Sequence, residues 1–276
     1  MSIGIMFGHT PWNLREAPIG VNPVLTAADV TDVSAAFVAD PFAIWHDDCW
    51  HLFFEVMNRK SGKGEIGHAT SNDAHGWKYD AIVLSQDFHL SYPAVYVTSG
   101  GMWMVPESFE SNQVRLYRAD PFPTTWTLEK VLIDGVAGGD PTLWRNDDGT
   151  WSMLLCSAEG SRNETLLRYE GASLFGPWTE SRHSPLVNGD AAIARPGGHC
   201  FSVEGIRYRL AQDCSRRYGE RLRSLPLAEP WNQDARNVLQ PQGTGWRGRG
   251  THHADLHQMP SGYLAFVDGE CWAQGG

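Results

Sequence analysis

Two sets of polar residues recur along this chain of 276 residues, and their side chains are of the types that carry acid–base chemistry. The first set opens a short apolar run, with proline directly after four of its five members: Asp40, Tyr92, Asp140, Arg195 and His253. The second set closes the next apolar run: Glu55, Glu107, Cys156, Asp213 and Asp268. Carboxylates packed together raise the pKa of some members and leave others ionised, so such a cluster can supply an acid and a base at neutral pH.

The two sets are expected to meet at one edge of a sheet. Hairpin signals such as HDDC, TSGG and NDDG lie between the paired runs, and Gly, Asn and Asp are the residues of tight turns. The first set therefore stands at the start of one strand, and the second set stands at the end of its antiparallel partner. These two positions lie at the same edge.

A repeat of about 50 residues indicates what positions this edge. Similar phrases lead to Trp77, Trp126, Trp178 and Trp231, and we interpret these tryptophans as blade-packing residues. In a β-propeller each blade is a four-stranded antiparallel sheet, and equivalent positions of successive blades surround one axis. Five first strands and five second strands predict an all-β, five-bladed β-propeller with the polar residues around its centre.

The N-terminal segment is predicted to close the ring. The fifth blade lacks its outer half, whereas IGIMFGHTPWNLRE supplies a short apolar strand before Trp12 and NPVLTAADV can supply the last strand. Closure also removes an exposed sheet edge. We predict a single domain over 1–276, with outer strands of blade 5 in 1–33, blades 1 to 4 in 34–88, 89–136, 137–190 and 191–245, and inner strands of blade 5 in 246–276.

Composition excludes several classes of protein. A net charge of −10 argues against a nucleic-acid partner, because binding to phosphates needs a basic surface. No segment approaches the roughly 18 apolar residues of a membrane span. The N-terminus lacks a basic region followed by a hydrophobic one, so a cytoplasmic location is expected. The five cysteines are widely spaced without a CxxC pair, which favours reduced thiols.

Paired carboxylates beside Tyr and Trp are typical of glycoside hydrolysis. The phrase ADPFAIW resembles the blade-one motif of glycoside hydrolase families 43, 32 and 68, which implies that Asp40 is the base or nucleophile. In family 43 the next blades supply an aspartate and then a glutamate as the acid, but here Tyr92 and Asp140 stand there. The acid is therefore Asp140 or Glu107, and MVPES favours Glu107 because the proline fixes its backbone. The resemblance implies inversion.

A second resemblance covers nearly the whole chain. The phrases NPVLTAADVTDVSAAFVADPF, MVPESFESNQVRLYRA, GPWTESRHSPLVNGDAAIARPGG and AQDCSRRYG resemble the propeller domain found beside the transferase domain of plant glucosamine inositolphosphorylceramide transferases. Similar propellers are joined to formyltransferase-like domains in bacteria. This resemblance implies the five-bladed fold and a partner transferase, and it says less about a reaction.

The other members of the two sets are candidate substrate-binding residues: Glu55, Tyr92, Arg195, Asp213, His253 and Asp268. The fork of Arg195 suits an anionic sugar, or it forms a salt bridge with Asp140 or Asp190. No cofactor is expected, although the resemblance to family 43 implies a possible Ca²⁺ ion in the central channel near His253.

Three functions are compatible with this sequence. The first is a glycoside hydrolase-like, furanosidase-type enzyme that acts on a small glycoside or glycan with Asp40 and Glu107 or Asp140. The second is a non-catalytic sugar-binding propeller that holds a glycan for a partner transferase. The third is a repurposed propeller that catalyses elimination, cyclisation or isomerisation in small-molecule biosynthesis.

Overall fold

The computed structural model describes residues 1–16, 21–159 and 162–272, whose strands form five antiparallel sheets. The predicted all-β, five-bladed propeller is confirmed. Short 3-10 turns lie at Ala27–Asp29 and Phe109–Ser111. Within the described ranges, no helix has the length and apolar character needed to cross a membrane.

The strands follow one another around the ring in chain order. The N-terminal strands are β1 (Ser2–Gly8) and β2 (Arg15–Glu16). Blade 1 contains β3 (Ala35–His46), β4 (Cys49–Asn58), β5 (Lys63–Ser71) and β6 (Lys78–Leu84). Blade 2 contains β7 (Ser91–Thr98), β8 (Gly101–Glu107), β9 (Gln113–Ala119) and β10 (Trp126–Asp134).

The remaining blades follow the same order. Blade 3 contains β11 (Gly138–Arg145), β12 (Trp151–Ser157), β13 (Thr165–Gly171), β14 (Trp178–Glu180) and the short β15 (Val187–Asn188). Blade 4 contains β16 (Phe201–Val203), β17 (Ile206–Asp213), β18 (Arg221–Pro226) and β19 (Arg236–Leu239). Blade 5 contains β20 (Ala254–Met259) and β21 (Gly262–Gly269) together with β1 and β2.

The N-terminal segment closes the ring as predicted, because β1 pairs along its whole length with β21. The prediction that NPVLTAADV supplies the last strand was wrong, since β2 takes that place. Leu25 makes only an isolated bridge to Ile3. Thr26 then starts a 3-10 turn through a capping box with Asp29, and this local hydrogen bonding competes with strand pairing.

The apolar runs of the second strands are buried on both faces. Leu52 and Phe54 pack in a core cluster that contains Phe266 of blade 5, whereas Phe53 packs in another cluster with Met104 of blade 2. All these side chains are fully buried. A strand covered on both faces reads as a continuous apolar run, and the core therefore lies between adjacent blades.

The repeated tryptophans close the connections between strands. The indole N–H groups of Trp77, Trp126 and Trp178 each donate a hydrogen bond to a main-chain carbonyl three or four residues earlier. Trp12 is different, because it donates to Ser224 Oγ and so joins the N-terminal segment to blade 4. These contacts support the interpretation of the tryptophans as packing residues.

Candidate active site

Three residues of the first set share an unusual backbone conformation. Asp40, Tyr92 and Asp140 have φ angles of 51°, 47° and 53°, and each lies at a shift in the pairing of strands one and two of its blade. A residue other than glycine in the left-handed region costs about 1–3 kcal/mol, and such residues are concentrated at functional sites. A β-bulge changes the direction in which a side chain points. The repeated phrase therefore marks a bulge at the same position in blades 1 to 3.

One ion-pair network joins blades 1 and 5 through His252. Its Nε2 lies 3.2 Å from Asp40 Oδ1, and its Nδ1 lies 2.9 Å from Asp268 Oδ2. The other Asp268 oxygen accepts hydrogen bonds from the main-chain N–H groups of His252 and His253. The Tyr92 main-chain N–H donates to Asp40 Oδ2 at 3.2 Å. The imidazole is therefore clamped between two buried carboxylates.

A second network joins blades 2, 3 and 4 through Arg195. Its Nε and Nη2 donate to the two Asp140 oxygens at 2.6 and 3.1 Å, and Nη2 also donates to Glu107 Oε2 at 3.0 Å. Gln212 Nε2 donates to Asp140 Oδ2 at 2.6 Å. The structure thus has the salt bridge with Asp140 that was the alternative interpretation of Arg195.

Glu55 stands apart from both networks. Its side chain is 7% exposed, and its nearest polar partner is His89, with Nε2 lying 3.4 Å from Oε1. It lies on β4, where its register partner is Ala39, the residue before Asp40. Glu55 therefore sits beside the Asp40 network without an arginine of its own.

These surroundings shift the pKa values of Asp40 and Glu55 in opposite directions. Burial acts to raise the pKa of Asp40, but His252, His253 and Arg195 outweigh it and lower that pKa to about 2. Burial, followed by the Asp40 charge, raises the pKa of Glu55 well above its usual value of 4.5. Burial acts to lower the pKa of His252, but Asp268 and Asp40 outweigh it and hold that pKa well above 6.5. These shifts favour an ionised Asp40, a cationic His252 and a protonated Glu55.

Two predicted binding residues have side chains that are enclosed in the core. The Tyr92 hydroxyl contacts Thr142 Oγ1 at 2.7 Å and accepts a hydrogen bond from the Gly198 main-chain N–H. His253 is fully buried beside Tyr92, and its Nε2 lies 3.0 Å from the Pro41 carbonyl oxygen. These side chains hold the wall of the site, and Tyr92 contacts Asp40 through its backbone.

In blades 4 and 5 the residue next to the predicted one reaches the networks. Asp213 instead makes ion pairs with Arg221 and Arg223 of its own blade. Gln212 and His252 contact the carboxylates, and the sequence analysis missed both. Successive strand residues point to opposite faces, so an error of one position exchanges the two sides. Cys156 belongs to the same edge, and burial raises the pKa of its thiol to about 12.

Tyr218 is another residue that the sequence pattern did not reveal. Its ring lies 5.2 Å from the Arg195 guanidinium carbon and 5.4 Å from the His252 ring centre. Tyr218 and His252 line a small cavity of about 130 Å³ together with Arg217 and Gly219. The loop between β17 and β18 therefore lies against both networks, and Tyr218 contacts the cation of each.

The donor set around His252 fits a calcium ion poorly. Ligand atoms of Asp40, His252 and Asp268 lie within 4.8 Å of one another. Both imidazole nitrogens, however, are engaged with carboxylates, and Ca²⁺ prefers oxygen ligands. His253 offers no alternative, because its ring is enclosed in the core. The Ca²⁺ ion near His253 stays a prediction.

The arrangement matches a known family over nearly its whole length. Residues 1–270 match the family model described as "Glucosamine inositolphosphorylceramide transferase 1, N-terminal". The chain belongs to this family. It is 34% identical over 300 aligned residues to glucosamine inositolphosphorylceramide transferase 1 of Oryza sativa subsp. indica, and 33% identical over 298 to that of Arabidopsis thaliana. These alignments cover 98% of this chain but only 40% and 39% of the relatives.

Solved structures confirm the propeller architecture. The catalytic domain of the GH62 α-L-arabinofuranosidase from Coprinopsis cinerea superposes with a TM-score of 0.63 at 14% identity. The match covers 87% of this chain and 86% of that domain. At this level of identity the likeness shows the fold, and the chemistry has to be argued from the residues described above.

Proposed function

We propose that this chain processes a glycan by acid–base catalysis, with Asp40 as the base and Glu55 as the acid. The observation that carries the proposal is the opposite displacement of the pKa values of these two neighbouring carboxyl groups. A pair of carboxyl groups in environments that favour opposite protonation states is the arrangement that glycoside hydrolysis needs. The membership in a family named for a sugar-transferring protein supports a glycan as the substrate.

Glu55 suits the role of acid better than the two residues favoured by the sequence. Glu107 accepts hydrogen bonds from Arg195 and from the Asp140 main-chain N–H. Asp140 accepts from Arg195 and Gln212. Donors that surround a carboxyl group favour its ionised form, and Arg195 in this way opposes the burial that raises the pKa of Asp140. Among the described residues Glu55 has no arginine or main-chain donor, and its one polar neighbour is His89, with Nε2 3.4 Å from Oε1.

The reaction follows from these protonation states. Glu55 donates its proton to the glycosidic oxygen as the bond to the anomeric carbon breaks. Asp40 takes a proton from the attacking water, and the water oxygen forms the new bond to that carbon. His252 and Asp268 hold the Asp40 carboxylate in place. The resemblance to family 43 favours inversion, which ¹H NMR of the first-formed anomer tests.

The test is a screen of purified protein against aryl furanosides, pyranosides and uronides, with released phenol as the readout. We expect the wild type to turn over one class, and Asp40→Asn and Glu55→Gln to lose that turnover by at least about 100-fold, the usual size of a general acid–base contribution. Asp47→Asn is the matched control, because Asp47 is 85% exposed outside the site. Full activity of Glu55→Gln with loss in Glu107→Gln would return the acid role to Glu107.

A second candidate is a sugar-binding propeller that serves a partner transferase. It is favoured by the names of the relatives and by the fact that this chain spans about 40% of their length. Binding of a glycan without turnover in wild type and Asp40→Asn alike would support this candidate. Turnover that depends on Asp40 and Glu55 would exclude it.

A further inference from the structure

A second cavity lies on the opposite side of blades 1 and 5 from the carboxylates. It is lined by the turn between β3 and β4, the turn between β20 and β21, and the end of β1. Asp40 lies in the middle of β3 and Trp45 lies next to its last residue, and five residues of a strand span roughly 16 Å. This cavity is therefore separate from the proposed catalytic site.

The cavity has the size and the wall of a ligand site. Its volume is about 1060 Å³, in the upper range of small-molecule sites. Of the nine exposed large hydrophobic side chains in the described part of the chain, Phe7, Trp45 and Met259 all line it. Trp45 is 50% exposed, and its ring meets that of Trp50 at 5.4 Å. We call this cavity, from Phe7 to Trp45 and Met259, the aromatic groove.

Trp50 adds a buried polar group to this wall. Its side chain is 93% buried at 7% exposure, and it lines the groove. Within the described ranges no protein atom accepts a hydrogen bond from its indole N–H, whereas Trp77 and Trp126 both find a carbonyl. This N–H is not one of the described polar atoms that the protein encloses completely without a partner. Since a buried indole usually finds an acceptor, a ligand oxygen in the groove is the natural partner.

The rim of the groove carries planar polar side chains. Asn13, Arg15, Asn72 and Gln258 line it, and all four are exposed. Amides offer both donors and acceptors, and a guanidinium offers several donors in a plane. Such groups pair with hydroxyl groups that are themselves donor and acceptor. With Asp73 also present, the rim is mixed in charge and does not select an anion.

We propose that the aromatic groove binds a neutral oligosaccharide chain. A pyranose ring presents C–H groups on its faces and hydroxyl groups around its edge, which matches an exposed indole beside amides and a guanidinium. An alkyl chain matches the apolar wall but leaves the rim and the Trp50 N–H without partners. This inference does not depend on the proposed catalytic function, because the groove shares no residue with the carboxylate networks.

The experiment titrates the protein with xylohexaose, cellohexaose, mannohexaose and maltohexaose by calorimetry and tryptophan fluorescence. We expect at least one of these to bind, and Trp45→Ala to weaken that binding at least about tenfold, equivalent to about 1.4 kcal/mol. Trp272→Ala is the matched control, since Trp272 is 52% exposed outside the groove. The double variant Asp40→Asn with Glu55→Gln should bind as the wild type does, which places the sugar outside the catalytic site.

Three outcomes would overturn this proposal. The first is that none of the four hexasaccharides binds at millimolar concentration to a protein with intact Trp45. The second is equal weakening by Trp45→Ala and Trp272→Ala. The third is that dodecylphosphocholine monomers bind in a manner that requires Trp45, while the sugars do not bind. Thermal melts of the Trp45→Ala variant control for folding. Because Trp45 is exposed, we expect an unchanged midpoint.

Discussion

Each of the two buried ion-pair networks holds two carboxylates around one cation, but the cations differ. Arg195 holds Glu107 and Asp140, whereas His252 holds Asp40 and Asp268. An arginine keeps its charge at every pH that a protein meets, but a histidine loses it when the pH rises above its pKa. One network therefore contains a permanent cation, and the other contains a titratable one.

This difference explains why the proposed chemistry lies on the histidine side. Arg195 donates through Nε and Nη2 to Asp140 and Glu107, and through Nη1 to Asn163 Oδ1. On the other side, His252 keeps Asp40 ionised, and Glu55 beside it has His89 as its polar neighbour and no arginine. A carboxyl group that shares a buried site with an ionised neighbour stays protonated.

Removal of Arg195 should have the largest effect on stability. Arg195→Met leaves Glu107 and Asp140 buried without their common cation, and breaking such a network costs about 3–5 kcal/mol. The free energy of unfolding from urea titration at pH 7 measures it. Arg207→Met is the control: Arg207 pairs with the fully exposed Asp147, so its loss should cost less than about 0.5 kcal/mol. Equal costs would show that the Arg195 network is not a structural element.

Replacement of His252 should give a smaller cost that depends on pH. His252→Gln keeps a polar side chain but removes the cation between Asp40 and Asp268, and we expect a loss of about 2–3 kcal/mol at pH 6. Because the folded-state pKa of His252 is raised, its contribution is complete below pH 6.5 and disappears as the pH rises through that pKa. The difference between the two proteins should therefore shrink in alkaline solution.

The measurement is the free energy of unfolding of both proteins from pH 5 to pH 9. The charge of His252 also lowers the pKa of Glu55, so the pH dependence of the difference reports His252 together with its effect on Glu55. Asp40 contributes at the acid end, because its stabilisation is present above pH 3.8 and is lost as the pH falls to about 2. A difference that stays constant with pH contradicts the assignment of a cationic His252.

The contrast between the networks also shows what the sequence revealed and what it concealed. In blades 1 and 3 the phrase with Asp before Pro marks a left-handed residue at a bulge, and Asp40 and Asp140 both lie in the buried ion-pair networks. In blades 4 and 5 the equivalent residues, Arg195 and His253, precede the first strand, and the pattern pointed to Asp213 and His253 instead of their neighbours. The adjacent histidines gave no signal to choose between them.

The five-bladed fold could be predicted from the sequence, because it depends on a repeat and an error of one position in one blade does not change the number of blades. The choice of the acid was not accessible, because it depends on which carboxylate Arg195 reaches. The arginine comes from blade 4 and contacts residues of blades 2 and 3. Distances across the ring are set by the closure of all five blades and not by any one phrase.

Removal of the Tyr92 hydroxyl should have an effect on stability that is intermediate in size. This hydroxyl contacts Thr142 of blade 3 and accepts from the Gly198 N–H next to blade 4, while the Tyr92 backbone N–H donates to Asp40. Tyr92→Phe leaves a buried N–H without a partner, which costs about 1–2 kcal/mol. Thermal and urea unfolding measure the loss. Tyr263→Phe, with a partly exposed side chain at the other face, should change little, and equal losses would count against this role of Tyr92.

Replacement of Glu55 should have the smallest effect on stability and the clearest sign. Because the folded-state pKa of Glu55 is raised, the fold favours the protonated side chain, and the protein loses stability as the pH rises above 4.5 through that pKa. Glu55→Gln mimics the protonated form. The variant should match the wild type within about 0.5 kcal/mol at pH 4, where both carry a neutral group. At pH 8 it should be the more stable of the two.

Glu107→Gln is the matched comparison from the arginine side. Glu107 accepts from Arg195, so its neutral replacement should cost about 2 kcal/mol at pH 7, where Glu55→Gln costs nothing. Urea titrations of the three proteins at pH 4, 7 and 8 decide between the alternatives. If Glu55→Gln destabilises the protein as much as Glu107→Gln does, Glu55 is ionised in the fold. It then has no proton to give, and the acid must be sought on the arginine side of the channel.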